Sequence, residues 1–424
     1  MNILWQNEHY PDVAKGGGGA INTYYIVTAM ERLGHNVVIL ARGESGVPAF
    51  QENVKGTTVQ RLAPTKMPDH FWPFWPLLES KYARRGLGAV CRGYDAFVGI
   101  DYSFALNVKK LFPSHPLIYR VEGNERSHYA AISALEKGVG VGDSLCKLYL
   151  VRRCLAAERD LMERRVWRRC DAIVVKSQFM KRELKAWYGV DTRNVFVIPN
   201  GVDYERYSKA KRTPEALARL GNPDGTKIVI IFCGRLVRMK NVRFLLRAFA
   251  HMKFNRSCVL AIVGDGEERV ALETEADRLG IRGTVKFLGY TERVEEFLAS
   301  ADIFVLPSLY EPFGNALVEA MAAGLPCVAL RPDSRVRTAS DEILENGITG
   351  HLVSSEPHEE LSCTLDCLVR DVELRQRLGA AAQSRCREIY SWEMCARAYL
   401  SLAKDFRAKL RELERGPVEY TTES

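Results

Sequence analysis

The sequence predicts an α/β protein made of two doubly wound domains, and three observations carry that reading. Short apolar runs alternate with amphipathic stretches of helical periodicity through most of the chain. Strand, helix, strand at this rhythm means parallel strands joined by right-handed crossovers. The series runs to about residue 176 and then starts afresh, and 424 residues are too many for one ordinary domain. Two Rossmann-like domains facing a central cleft follow, because ligands of such sheets bind at the carboxyl ends of the strands.

In the first series, strands fall at residues 2–5, 36–41, 96–100, 117–121 and 172–176. The helix between the first two covers 20–33 and ends at Gly34, a residue suited to the left-handed C-cap. A long basic helix precedes the restart, where the turn Pro199-Asn200-Gly201 also lies. Strands then fall at 195–198, 228–233, 259–263, 284–288, 303–306 and 326–330. The boundary is set near residue 190, giving an N-terminal domain over 1–190 and a C-terminal domain over 191–389. A last helix over about 390–412 places Trp392, Ala396, Tyr399 and Leu400 at helical spacing, and 413–424 reads as a loose tail.

Hydrophobic content of 47% with 26% charged residues is the balance of a soluble globular protein. No segment approaches the roughly 20 apolar residues of a membrane helix. The start, MNILWQ, has no signal-peptide pattern and reads directly as a strand. Eleven scattered cysteines predict free thiols in a reducing cytoplasm, and Cys363 and Cys367 have no second ligand pair nearby to make a metal site. The net charge of +8 is concentrated: residues 147–185 hold 12 Lys or Arg against 5 Asp or Glu. Such a face is a solvated helix surface, a contact for anionic lipid or a contact for an acidic acceptor. Nucleic acid is not expected as a partner, because no binding module accompanies the charge. The aromatic run Phe71-Trp72-Pro73-Phe74-Trp75-Pro76 either fills the core or cleft wall, or helps dock the chain peripherally at the inner face of a membrane.

Three segments carry chemistry. Lys15-Gly16-Gly17-Gly18-Gly19-Ala20 sits between the first strand and helix. Gly16, Gly17 and Gly18 permit close backbone approach beside free helix N–H groups, although a flexible turn has the same pattern. The spaced glycines of a dinucleotide fingerprint are absent, which weighs against an oxidoreductase. Gly234-Arg235-Leu236 with Lys240 follows an apolar strand and precedes a helix starting near Asn241. An arginine fork and a lysine point charge at a strand's carboxyl end suit a diphosphate, while two loop cations alone are often structural. The strongest signal is Glu311-Pro312-Phe313-Gly314-Asn315, with Glu319 eight residues after Glu311 on a helix that begins about Asn315. Carboxylates at both ends and helix N–H groups between them suit a sugar–diphosphate–nucleoside.

With these residues in view, the sequence resembles the GT-B glycosyltransferases of the large retaining class called family 4, or glycosyl transferases group 1. The Gly234-Arg235…Lys240 pair and the Glu311…Glu319 signature carry the resemblance. Ile198-Pro199-Asn200-Gly201-Val202-Asp203, Val263-Gly264-Asp265-Gly266 and Val285-Lys286-Phe287-Leu288-Gly289 add to it. The resemblance implies the GT-B fold, with an N-terminal acceptor domain, a C-terminal donor domain and the last helix returning to the N-terminal domain.

It further implies transfer of a sugar from a nucleotide-diphosphate sugar to a hydroxyl of a glycan or lipid-linked glycan, with retention. Arg235 and Lys240 would hold the diphosphate, Glu319 the ribose, and Glu311 the transferred sugar. Phe313, Gly314 and Asn315 would offer backbone N–H groups, Lys286 and Phe287 would border the base, and Gly16 to Gly18 would close over the diphosphate or border the acceptor. One departure stands out: where many relatives have a histidine, this sequence has Glu122, with His128 as a nearby substitute. Glu122 could bond the donor sugar or take the acceptor's proton. No Asp-x-Asp pair occurs, so no metal and no cofactor are expected. Competing readings are a catalytically silent GT-B scaffold, a sugar phosphorylase and a nucleotide-sugar epimerase. The base, sugar, linkage, acceptor and oligomeric state are not encoded in these motifs.

Overall fold

The computed structural model describes residues 1–7, 10, 13–42, 50–54, 56–62, 87–123 and 161–415. Two mainly parallel sheets organise them. The first follows the order β3-β4-β2-β1-β5-β6-β7-β8. Its strands are β1 (Asn2–Gln6), β2 (Asn36–Arg42), β3 (Phe50–Val54), β4 (Thr57–Leu62), β5 (Ala96–Gly99), β6 (Leu117–Arg120), β7 (Ala172–Val175) and β8 (Val195–Val197). Only the β3–β4 hairpin is antiparallel. The second sheet follows β11-β10-β9-β12-β14-β16, built from β9 (Ile228–Cys233), β10 (Cys258–Val263), β11 (Val285–Gly289), β12 (Ile303–Leu306), β14 (Cys327–Leu330) and β16 (Gly350–Val353). A short parallel pair, β13 (Tyr310–Glu311) and β15 (Arg337–Thr338), stands beside it.

The predicted alternation is therefore present, joined by the unpredicted strands β3, β4 and β16 and with differences in three of the predicted elements. The strand at 195–198, assigned from sequence to the second series, is β8 and pairs with β7 through Ile173↔Val195. Helix α2 (Gln178–Tyr188) is the crossover that returns the chain to this edge, so the first sheet extends past residue 190. Helix α1 spans Val13–Arg32 and so begins before the glycine run rather than after it. The four free amides of its first turn accordingly precede Gly17. Helix α4 (Trp392–Arg415) continues three residues beyond the predicted end at 412, and 416–424 lie outside the described residues. The run 71–76, His128 and the basic stretch before residue 161 also lie outside them.

Each face of the first sheet is covered. On one side α1 and α4 pack together, with Trp5, Ile26, Met30, Ala396 and Tyr399 in one core cluster. The Trp5 and Tyr399 rings lie 5.1 Å apart, and both are essentially fully buried. Truncating a core aromatic of this kind costs about 3–5 kcal/mol, so this contact anchors the returning helix. Phe97, Phe104, Trp167 and Leu184 fill the other face. The second sheet is buried within a separate cluster that includes Phe232, Phe249 and Phe304.

The two sheets meet along a polar seam. Ser177, the N-cap of α2, donates its hydroxyl to the Pro312 carbonyl at 2.6 Å. Glu342 accepts from the Gln178 and Phe179 amides at 2.7 and 2.5 Å, so a carboxylate from the C-terminal half sits on the positive end of a helix in the N-terminal half. Arg337 pairs with Glu183 in the same region and lies over the Trp187 ring.

Candidate active site

At the carboxyl end of β9 the chain passes through Gly234 into Arg235, which is exposed. The neighbouring turn after β10 comes so close that a Cβ at Gly264 (φ +132°) would lie 1.9 Å from the Gly234 carbonyl oxygen. Only glycine fits there, and the close approach fixes the loop that carries Arg235. Among the described residues no side-chain partner engages the Arg235 guanidinium. Lys240 closes a 3-10 turn and pairs through Nζ with Glu311 Oε2, where the Ser308 hydroxyl also donates at 3.4 Å. Backbone pairing of β13 with β15, and the Ala339 amide on the Glu311 carbonyl at 3.0 Å, hold that carboxylate in place.

Helix α3 (Asn315–Ala322) follows directly. Its N-cap is Gly314, with φ +108°, and no side chain caps the first-turn amides. An uncapped N-terminus beside Lys240 and Glu311 is a ready anion site. The Phe313 side chain is buried against Tyr390, ring centroids 5.7 Å apart, so only its backbone faces this end. Glu319 lies half-buried in the second turn of α3, beside the buried Tyr207. Burial raises its pKa to about 7, against the opposing effects of Tyr207 and Arg206.

Glu122 enters from the other domain, just beyond β6. Its Oε1 accepts from Arg120 Nε at 2.5 Å and its Oε2 pairs with Lys176. Burial alone would raise its pKa, but the two cations outweigh this and bring it to about 2. Such a carboxylate accepts hydrogen bonds and is a poor proton acceptor, which separates the two roles left open by the sequence. Its carboxyl carbon lies 3.7 Å from where a Gly19 Cβ would stand, so the glycine-bearing part of α1 passes over it. Burial lowers the Lys176 pKa while Glu122, and less strongly Glu311, raise it. Lys176 thus stands electrostatically between carboxylates of the two domains.

The structure pairs Lys240 with Glu311 on β13 and carries Gly314, Asn315 and Glu319 into α3, with Arg235 on the loop after β9. Lys286 and Phe287 sit instead on the edge strand β11. The Lys286 methylenes press on Gly221, and Phe287 lies 5.7 Å from the Arg282 guanidinium. Sequence reading missed Arg120 and Lys176 as cleft residues. Their only signal was a charge at the end of each apolar run, Leu117–Arg120 and Ala172–Val175 followed by Lys176.

Two family models match the chain, Glycosyltransferase Family 4 over residues 16–206 and Glycosyl transferases group 1 over 215–385. The chain belongs to the GT-B glycosyltransferases of the family 4 type. It is 28% identical to a glycogen synthase of Mycobacterium tuberculosis, over 94% of this chain and 93% of that one. In fold it matches a sucrose-phosphate synthase from Thermosynechococcus elongatus with a TM-score of 0.76, at 19% identity over 96% and 100% of the two chains. Anabaena HepE in complex with UDP-glucose matches with a TM-score of 0.66, at 18% identity over 97% and 100%. No helix among the described residues of this glycosyltransferase is long and apolar enough to cross a membrane.

Proposed function

We propose that this glycosyltransferase moves a sugar from a nucleoside-diphosphate sugar to a hydroxyl of a glycan or lipid-linked glycan, with retention and without an obligatory metal or cofactor. The observation that carries the reading is the Lys240–Glu311 pair beside the uncapped N-terminus of α3, with Glu319 on the same helix. In this reading the α3 amides, Lys240 and Arg235, unpartnered among the described residues, bind the diphosphate and stabilise the charge that grows on it as the sugar departs. Glu319 takes the ribose hydroxyls, and Glu311 and Glu122 accept hydrogen bonds from the transferred sugar. Lys286 and Phe287 border the base through the backbone of β11, and the glycines of α1 border the acceptor. Binding of UDP-glucose by HepE supports a donor of this class.

The departing phosphate oxygen takes the acceptor's proton, because Glu122 is held ionised by two cations and has little tendency to take it. The exposed Arg165, Arg168, Arg169 and Lys185 support peripheral contact with anionic lipid at the inner face of a membrane. By contrast Arg164 is tied to the Tyr188 carbonyl and Lys176 lies in the cleft, so the basic stretch is not one surface.

A thermal-shift and calorimetric screen of UDP, GDP and ADP with their sugar conjugates, with and without EDTA, tests the donor reading. One nucleotide should bind, with loss in Arg235→Ala and Glu319→Ala. Absence of binding to all of them would favour a silent scaffold.

A further inference from the structure

An amide chain crosses the seam at the donor helix. Arg120, at the end of β6 and 2% exposed, donates through Nη2 to Asn200 Oδ1 at 2.9 Å. Asn200, in the segment between the two sheets and also 2% exposed, donates through Nδ2 to Asn315 Oδ1 at 2.9 Å. Asn315, the first residue of α3, donates through Nδ2 to Asn22 Oδ1 on α1 at 3.2 Å. The other edge of the Arg120 guanidinium holds Glu122 and, at 3.4 Å, the Tyr399 hydroxyl of α4.

We infer that Asn22 and Asn200 are positioning residues that grip the Asn315 side chain and so set the α3 N-terminus against the donor's terminal phosphate. The inference rests on the donor reading above and extends it to residues that touch no donor. The Asn200 and Asn315 amides point the same way along the chain, each accepting with oxygen and donating with nitrogen, and Asn22 accepts at its end. A buried guanidinium at the head polarises the links that follow, and a buried amide left without its partner is unfavourable. The arrangement with all links made is therefore the one in which α1, the inter-sheet segment and α3 are locked together. It leaves the Asn315 side chain occupied on the protein side and the first-turn amides of α3 facing the Lys240–Glu311 pair. The same Arg120 fixes Glu122, so the carboxylate from one domain and the helix end from the other are referred to a single buried cation.

Asn22→Ala, Asn200→Ala, Asn200→Asp and Asn315→Ala test this by calorimetry with the nucleoside diphosphate that the wild type binds and with the matching monophosphate. Asn22→Ala and Asn200→Ala should each weaken the diphosphate about tenfold and leave the monophosphate within about twofold. Asn200→Asp should behave like Asn200→Ala, because a carboxylate still accepts from Arg120 and cannot donate to Asn315. In an Asn315→Ala background neither Asn22→Ala nor Asn200→Ala should have a further effect. Equal weakening of both nucleotides, additive losses in that background, or unchanged diphosphate binding in folded variants would each overturn the inference. A wild type that binds no nucleoside diphosphate would overturn the donor reading itself, and the inference with it.

Discussion

Buried Tyr207 stands beside the half-buried Glu319 carboxyl of α3, and desolvation lifts that carboxyl from its ordinary 4.5 to about 7. The folded chain therefore holds a proton that the unfolded chain has released between those values. Its contribution to stability is complete below 4.5 and is lost as the pH rises through 7. Glu319→Gln removes the titration and keeps the side chain's size and polarity beside Tyr207. Urea denaturation from about pH 5 to about pH 8 should show the wild type losing stability relative to the variant. Parallel pH profiles for the two would disprove it. Nucleotide affinity should run the other way, rising through pH 7 as the ionised carboxylate becomes the better acceptor for ribose hydroxyls.

Glu122 has the opposite sign. Arg120 and Lys176 overcome the effect of burial and take its pKa from 4.5 down to about 2. Its stabilisation is thus present above 4.5 and lost as the pH falls toward 2. Glu122→Gln leaves two buried cations facing a neutral amide, and unfolding at neutral pH should show a loss of about 3 kcal/mol. The wild type's advantage should shrink on acidification. A variant as stable as the wild type at neutral pH would show that the cations find other partners.

Arg235 and Lys240 form one sequence signal but differ in their surroundings. Arg235 is exposed and unpartnered among the described residues, whereas Lys240 neutralises Glu311. Arg235→Ala should lower turnover about a hundredfold or more. It should leave stability within about 0.5 kcal/mol, as surface substitutions usually do. Lys240→Ala should lower turnover and also destabilise, because Glu311 is left half-buried without its cation. Equal thermal shifts for both variants, measured beside donor turnover, would remove the distinction.

The contrast marks what could be read in advance. Buried parallel strands such as Ile228–Cys233 are continuous apolar runs, and the loops after them advertise Arg235, Glu311 and Glu319 by spacing. The β3–β4 hairpin was not legible, since Gln51, Glu52, Gln60 and Arg61 give its two strands little apolar signal. The place of β8 was hidden because a three-residue strand does not state which sheet it completes. Lys176 and Asn200 acquire meaning only through partners tens of residues away, as Arg120 does through Asn200, and no local pattern encodes such pairing. The start of α1 is not legible either, because glycine propensity opposes a helix where the chain forms one.

The seam offers the last prediction. Glu342 caps the first two amides of α2, and Ser177 at the same helix end holds the Pro312 carbonyl in the donor loop. Burial raises the Glu342 pKa against those amides and Arg182, so its charge depends on keeping the helix end close. Glu342→Gln should weaken this cap by about 1 kcal/mol, the usual size for a lost capping interaction. Hydrogen exchange should then quicken at residues 178–180 and, through Ser177, in the loop 310–314. Ser177→Ala should quicken the loop as well, since it cuts the link to Pro312 directly. Faster exchange confined to the helix in Glu342→Gln would mean that the donor loop is held from its own domain alone, by β15 and the Ala339 amide.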